Sequence, residues 1–245
     1  MFRLLLCLLF VSGDFFRLGD QLPQERPPTP QEIFAKYLQA LGGMEKLEAV
    51  DSVRLTERIR SPNETTDLVL VAEKEKWVLE YASSGTRHGF DGSQVWRQKS
   101  GGSVQSEDTH HYPFTDSHPI AYPMNLAKSV DSFRFIDKIV VQDREMYRLK
   151  ILPEKTLRPD RRVYPGPIEL HFDVQTGLLR SAIYTFKRVE YEDYRSVDDV
   201  VVAHRRKMVF TVKGLTELPG VWDVKSVELN PELPPGVLEP EVGPK

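Results

Sequence analysis

The sequence predicts a mostly β chain of the α+β class, built as one large antiparallel meander behind an N-terminal helix. Three observations carry this. From Ser52 onward, about ten short segments alternate apolar and polar residues or run apolar, each bounded by turn residues. Only two or three stretches show helical spacing. Proline outnumbers glycine, 18 against 15 in 245 residues, which suits many short elements better than long helices. A hydrophobic content of 40% with 28% charged residues marks a globular chain. The net charge of -3 argues against nucleic acid as a partner, because that needs a basic surface.

The elements follow in order. "MFRLLLCLLFVSGDFF" has a basic start and an apolar run too short to span a bilayer. Residues 1–20 are therefore expected to be a secretory signal peptide, and residues 21–29 a Pro-rich linker. Removal of that peptide takes away Cys7, the one cysteine, and with it any thiolate metal site. One domain is expected over residues 30–240, with 241–245 as a tail. In "TPQEIFAKYLQALGG", Thr29 is an N-cap, Pro30 suits the first helical position and Glu32 completes a capping box. Phe34, Tyr37, Leu38 and Leu41 form its apolar stripe, and Gly42-Gly43 ends it. Met44, Leu47 and Val50 suggest a second short helix. Val53, Leu55 and Ile59 then share one parity of a half-buried strand. "DLVLVAE", "KWVLEYA" and a strand holding Trp96 follow. Residues 99–117 read as loop, 124–130 as a short helix, and "SFRFIDKIVV" and "EMYRLKIL" as strands. A Pro/Arg-rich loop spans 153–167. "IELHFDVQTGLLRSAIYTF" then reads as strand, turn, strand.

"YEDYRSVDDVVVAHRRKMVF" is predicted to be a hairpin turning at Asp198-Asp199, which makes opposed residue numbers sum to 397. Val197 then faces Val200, Tyr191 faces Arg206, and Asp193 faces His204. Glu190 faces Lys207 and Glu192 faces Arg205, so two acid-base pairs are expected across the hairpin. The basic run is thereby read as part of a sheet rather than as an anion-binding cluster.

Chemistry has few candidates. "EDTHHYPFTDSHP" offers Asp108, His110, His111, Asp116 and His118, but their spacing matches no helix-borne metal motif. No G-x-S-x-G elbow, P-loop or G-x-G-x-x-G occurs. No catalytic residue, cofactor or metal site is expected.

Three separated stretches carry a resemblance. "YLQALGGMEKLEAVDSVRL", the late hairpin above, and "DVKSVELNPELPPGVLEP" together resemble exported bacterial proteins with the LolA/LolB-like lipoprotein-carrier fold, in the branch called outer-membrane lipoprotein-sorting proteins. Asp199 stands where that branch usually has glycine, and Ala203 where proline is common. No counterpart of the arginine with which the carriers latch their helical lid is found. The resemblance implies an unclosed β-barrel or half-barrel with a short helical lid around an apolar cavity. It implies a periplasmic, soluble or peripherally membrane-associated monomer whose partners are lipid or lipoprotein acyl chains, with a membrane-associated donor or acceptor protein.

The pattern is compatible with this. Leu68-Val69-Leu70-Val71 and Trp77-Val78-Leu79 are apolar on both parities, so both faces must be covered. A helix can cover one face; a cavity, or a plain packed core, can occupy the other. The expected function is a non-enzymatic carrier or sensor. Its expected lining is Val53, Leu55, Leu70, Trp77, Leu79, Trp96, Phe135, Leu149 and Ile151. Two other readings stand: a protein-interaction or regulatory domain on the same fold, and a metal-dependent enzyme at His110, His111 and His118.

Overall fold

A computed structural model describes residues 26–73, 76–107, 118–152, 167–185, 187–210 and 218–240. The segment read as a signal peptide, most of the histidine-bearing loop and most of the Pro/Arg-rich loop lie outside the described residues.

Helix α1 runs Pro30–Ala40, and both halves of the Thr29/Glu32 capping box are present. It buries Ile33, Phe34, Tyr37 and Leu38, the stripe that helical spacing demands. Helix α2 is Met44–Glu48. Six strands follow: β1 Ser52–Arg60, β2 Thr65–Glu73, β3 Lys76–Tyr81, β4 Thr86–Phe90, β5 Val95–Gln98 and β6 Gln105–Glu107. Helix α3, Ala121–Lys128, begins three residues before its expected start, and a 3-10 turn at Val130–Ser132 follows it. The second run of strands is β7 Phe133–Val141, β8 Arg144–Ile151, β9 Glu169–Asp173, β10 Leu179–Ile183, β11 Lys187–Val197, β12 Val200–Phe210 and β13 Leu218–Leu229.

The thirteen strands of the described residues form one antiparallel sheet in the order β6-β5-β4-β3-β2-β1-β13-β12-β11-β10-β9-β8-β7. It is two meanders joined at a seam where β13 pairs with β1. Asn230, just past β13, ties the seam. Its Oδ1 accepts from the Asp51 and Ser52 backbone N–H groups at 2.7 and 3.3 Å, and its amide donates to the Ala49 carbonyl at 3.1 Å. The edge strands β6 and β7 are not paired with each other, so the barrel stays open. Strand β4, to which the sequence reading assigned no element, and β6, which falls in the loop expected over 99–117, are short and are defined by pairing with their neighbours.

The β11–β12 hairpin has the expected register: Val197 pairs with Val200, Glu192 with Arg205, Tyr191 with Arg206 and Glu190 with Lys207, but the expected Asp193–His204 pair is missing from the ladder, Asp193 taking a φ of 51°. Asp198 and Asp199 take φ of 47° and 66°, the left-handed pair that a two-residue turn requires. The ion pairs run differently from those expected. Lys207 reaches diagonally to Glu192 at 2.6 Å, and Arg205 turns to Asp223 of β13 at 3.3 Å. Arg188 holds Glu190, and Arg195 holds Asp193. Because β12 is an interior strand, its bases find acids on both sides.

The two sheet faces have separate cores. On the inner face, α1 covers the β7–β12 half. Phe34 meets Phe133 and Phe172 at ring separations of 6.1 and 5.2 Å, and Tyr37 meets Phe172 at 5.3 Å. On the outer face of β2, β3 and β5, Val71, Val78 and Trp96 form a second cluster with Leu238, and Leu233 and Val237 pack against it. The chain after β13 thus supplies the outer cover that the doubly apolar strands require.

Candidate functional site

An apolar cleft of about 550 Å³ opens between α2, α3 and strands β1–β4. Antiparallel pairing places Val53, Ala72, Trp77 and Phe90 in one row across β1 to β4, and Leu70 beside it. Leu47 and Val50 close one side from α2 and the turn after it. Ile120, Ala121 and Met124 close the other from α3. The mouth carries Glu48, Asp51, Lys76, Asn125 and Lys128, all exposed.

A smaller cavity of about 40 Å³ lies next to the cleft, and His118 lines both. Here Arg206 of β12 reaches over β13 to pair with Glu57 of β1, with side chains 5% and 1% exposed. A buried pair of this kind is costly to break by removing one partner. Tyr122 of α3 stacks on Tyr191 at 6.0 Å, and its hydroxyl hydrogen-bonds that of Tyr184 at 2.9 Å. These contacts hold α3 against β10 and β11. The phenols of Tyr37 and Tyr194 are pushed up by burial.

His118 sets the start of α3. Its Nδ1 accepts from the Ile120 and Ala121 backbone N–H groups at 3.2 and 3.0 Å, satisfying donors that the first helical turn leaves open. That places the neutral ring's proton on Nε2. Burial lowers its pKa to about 4, and hydrogen bonding of its own backbone opposes the shift. Of the five residues once weighed for a metal, His118 alone is described, and one ring nitrogen is engaged as a cap. Among the described residues, no group of three metal-binding side chains occurs. Nor is any helix long and apolar enough to cross a membrane.

The residues expected to line a cavity fall into four places. Val53, Leu70 and Trp77 line the cleft. Leu55 lines the smaller cavity, and Leu79 is fully packed in the inner core. Leu149, Ile151 and Phe135 also belong to the inner core, on strands of the half that α1 covers. Trp96 lies on the outer face, away from both cavities. Its neighbour in register is Gly89, where a Cβ would come within 2.2 Å of the indole. Sequence reasoning missed Ala72 and Phe90, although they sit in register with Val53 and Trp77. It also missed Ile120 and Ala121, because the short helix was placed too late.

No protein-family model matches this chain, and no curated protein does. Solved structures do. A LolA superfamily protein from Nitrosomonas europaea is 14% identical with a TM-score of 0.56, covering 87% of this chain and 99% of its own. A DUF1329 family protein from Desulfovibrio piger is 10% identical at 0.55, covering 84% and 95%. A putative outer membrane lipoprotein-sorting protein domain from Vibrio parahaemolyticus is 11% identical at 0.52, covering 84% and 97%. An open thirteen-strand antiparallel sheet with one face under short helices is therefore the LolA-like fold, shared here over most of the chain.

Proposed function

We propose that this chain is an exported, non-enzymatic binding protein that holds a lipid or lipoprotein acyl group in the cleft under α3, as carrier or sensor. The carrying observation is the cleft: about 550 Å³, apolar in its depth and charged at its mouth. Ligand pockets span roughly 300 to 1,000 Å³ with this distribution of polarity. Burying an acyl chain gains about 0.8 kcal/mol per CH₂. The ligand then leaves slowly for water, but passes to another apolar site or a bilayer at little net cost. On this reading residues 1–20 direct export, 21–29 form a linker, 30–240 make one domain and 241–245 a tail. The partners are acyl chains and a membrane-associated donor or acceptor; nucleic acid is not one.

The test combines retention with blockage. Protein purified from the periplasm of an exporting host is extracted and measured by native mass spectrometry. An acyl-bearing ligand is expected on wild type and absent from a folded Ala121→Trp variant, whose indole fills the cleft from α3. Lipid-free protein, with equal binding of a hexadecyl probe by wild type and variant, overturns the assignment and favours an interaction domain.

A further inference from the structure

Resting on the acyl-binding reading, we infer that the cleft is built for a single-chain amphiphile with a zwitterionic headgroup. Two independent observations lead there. The first is capacity. An apolar cavity of about 150 Å³ accommodates one benzene, so a cleft of about 550 Å³ takes roughly twenty carbons. That is one long acyl chain. Two such chains, or three, exceed it.

The second is the rim. Four charged residues are among those that line the cleft, two of each sign. Lys76 opens β3 and Lys128 ends α3; Glu48 ends α2 and Asp51 precedes β1. All four are exposed, and none is ion-paired among the described residues. Elsewhere opposite charges pair readily, as Lys46 does with Asp199 at 3.3 Å and Arg58 with Asp67 at 2.7 Å. The cleft's two cations and two anions are left without such partners among the described residues. A headgroup carrying one anion and one cation, such as a phosphate with an ammonium, satisfies both signs. A purely anionic head meets two carboxylates as well as two lysines, and a neutral head leaves all four in water.

Exposed ion pairs are worth about 1.5- to 5-fold each in binding. Two engaged together favour the zwitterion over a neutral head by roughly tenfold. Four probes sharing one hexadecyl chain test this below their micelle concentrations: the phosphocholine, the sulfate, the trimethylammonium and the maltoside. Calorimetry should give one amphiphile per protein, with phosphocholine about tenfold tighter than maltoside. Lys76→Gln with Lys128→Gln should weaken the phosphocholine and the sulfate and leave the maltoside unchanged. Glu48→Gln with Asp51→Asn should tighten the sulfate instead. Equal affinity for phosphocholine and maltoside, or a ranking untouched by both pairs of substitutions, overturns the headgroup assignment while acyl binding stands. Two or more amphiphiles per protein overturn the single-chain capacity. Failure of all four probes to bind overturns the acyl-binding reading itself.

Discussion

His118, at the start of α3, makes the stability of the fold measurable by pH. In the unfolded chain this imidazole takes up a proton below its ordinary value of 6.5, whereas the folded protein resists protonation down to about 4. Between these values the unfolded state binds more protons, so stability falls as pH falls through that window. Each unit is worth about 1.4 kcal/mol, so lowering the pH from 6.5 to 5 removes about 2 kcal/mol. The residue keeps part of its surface exposed, which makes this an upper figure. In a chain of this size it corresponds to a fall of roughly 4 to 8 °C in Tm. The matched control is His118→Asn, whose side-chain oxygen can still accept from the α3 N–H groups and does not titrate. Urea unfolding at pH 7, 6 and 5 is the assay. The wild type should lose about 2 kcal/mol more than the variant across that range. Carboxylates held low by arginines, such as Asp67 beside Arg58, are common to both proteins, and their lowered values place their loss at more acidic pH. Parallel pH profiles for the two proteins would refute the placement of a neutral, capping His118 at α3.

Two further outcomes follow from the sheet. Asp198→Asn with Asp199→Gly should stabilise the β11–β12 hairpin by about 1 kcal/mol, since both residues sit at positive φ; no gain in chemical unfolding would show that the turn carries no strain. Gly89→Ala should cost about 1 to 3 kcal/mol by driving a methyl into the Trp96 indole; because that contact lies on the outer face, hexadecyl-probe affinity should stay unchanged in the folded fraction, and a selective loss of binding would contradict the two-core arrangement.

Local signals were legible wherever one residue type does one job. The Thr29/Glu32 box gave the start of α1, and the charge pattern with an Asp-Asp turn gave the β11–β12 register at every expected pair but Asp193–His204. What the sequence could not show was which face of a strand meets which cover. Trp96 and Trp77 look alike in an alternating pattern. One packs under Leu238 of the C-terminal segment and the other lines the cleft, because a single residue of parity separates the faces. The ion pairs failed for a related reason. Arg206 finds Glu57 two strands away, which requires knowing that β13 inserts between β12 and β1. That neighbour comes from the far end of the chain, and no local pattern announces it.

The seam also orders the birth of the protein. Asp51 and Asn230, which clasp across it, are 179 positions apart. Until the last strand emerges, β1 is a bare nine-residue edge, open to any other extended chain. The two meanders can each form early from local hairpins, but their union waits on nearly the whole chain and carries the loop-closure cost of distant contacts. A chain of this fold is therefore most vulnerable to aggregation just before it is complete, and a partner that shields β1 during that interval would guard the step on which the rest depends.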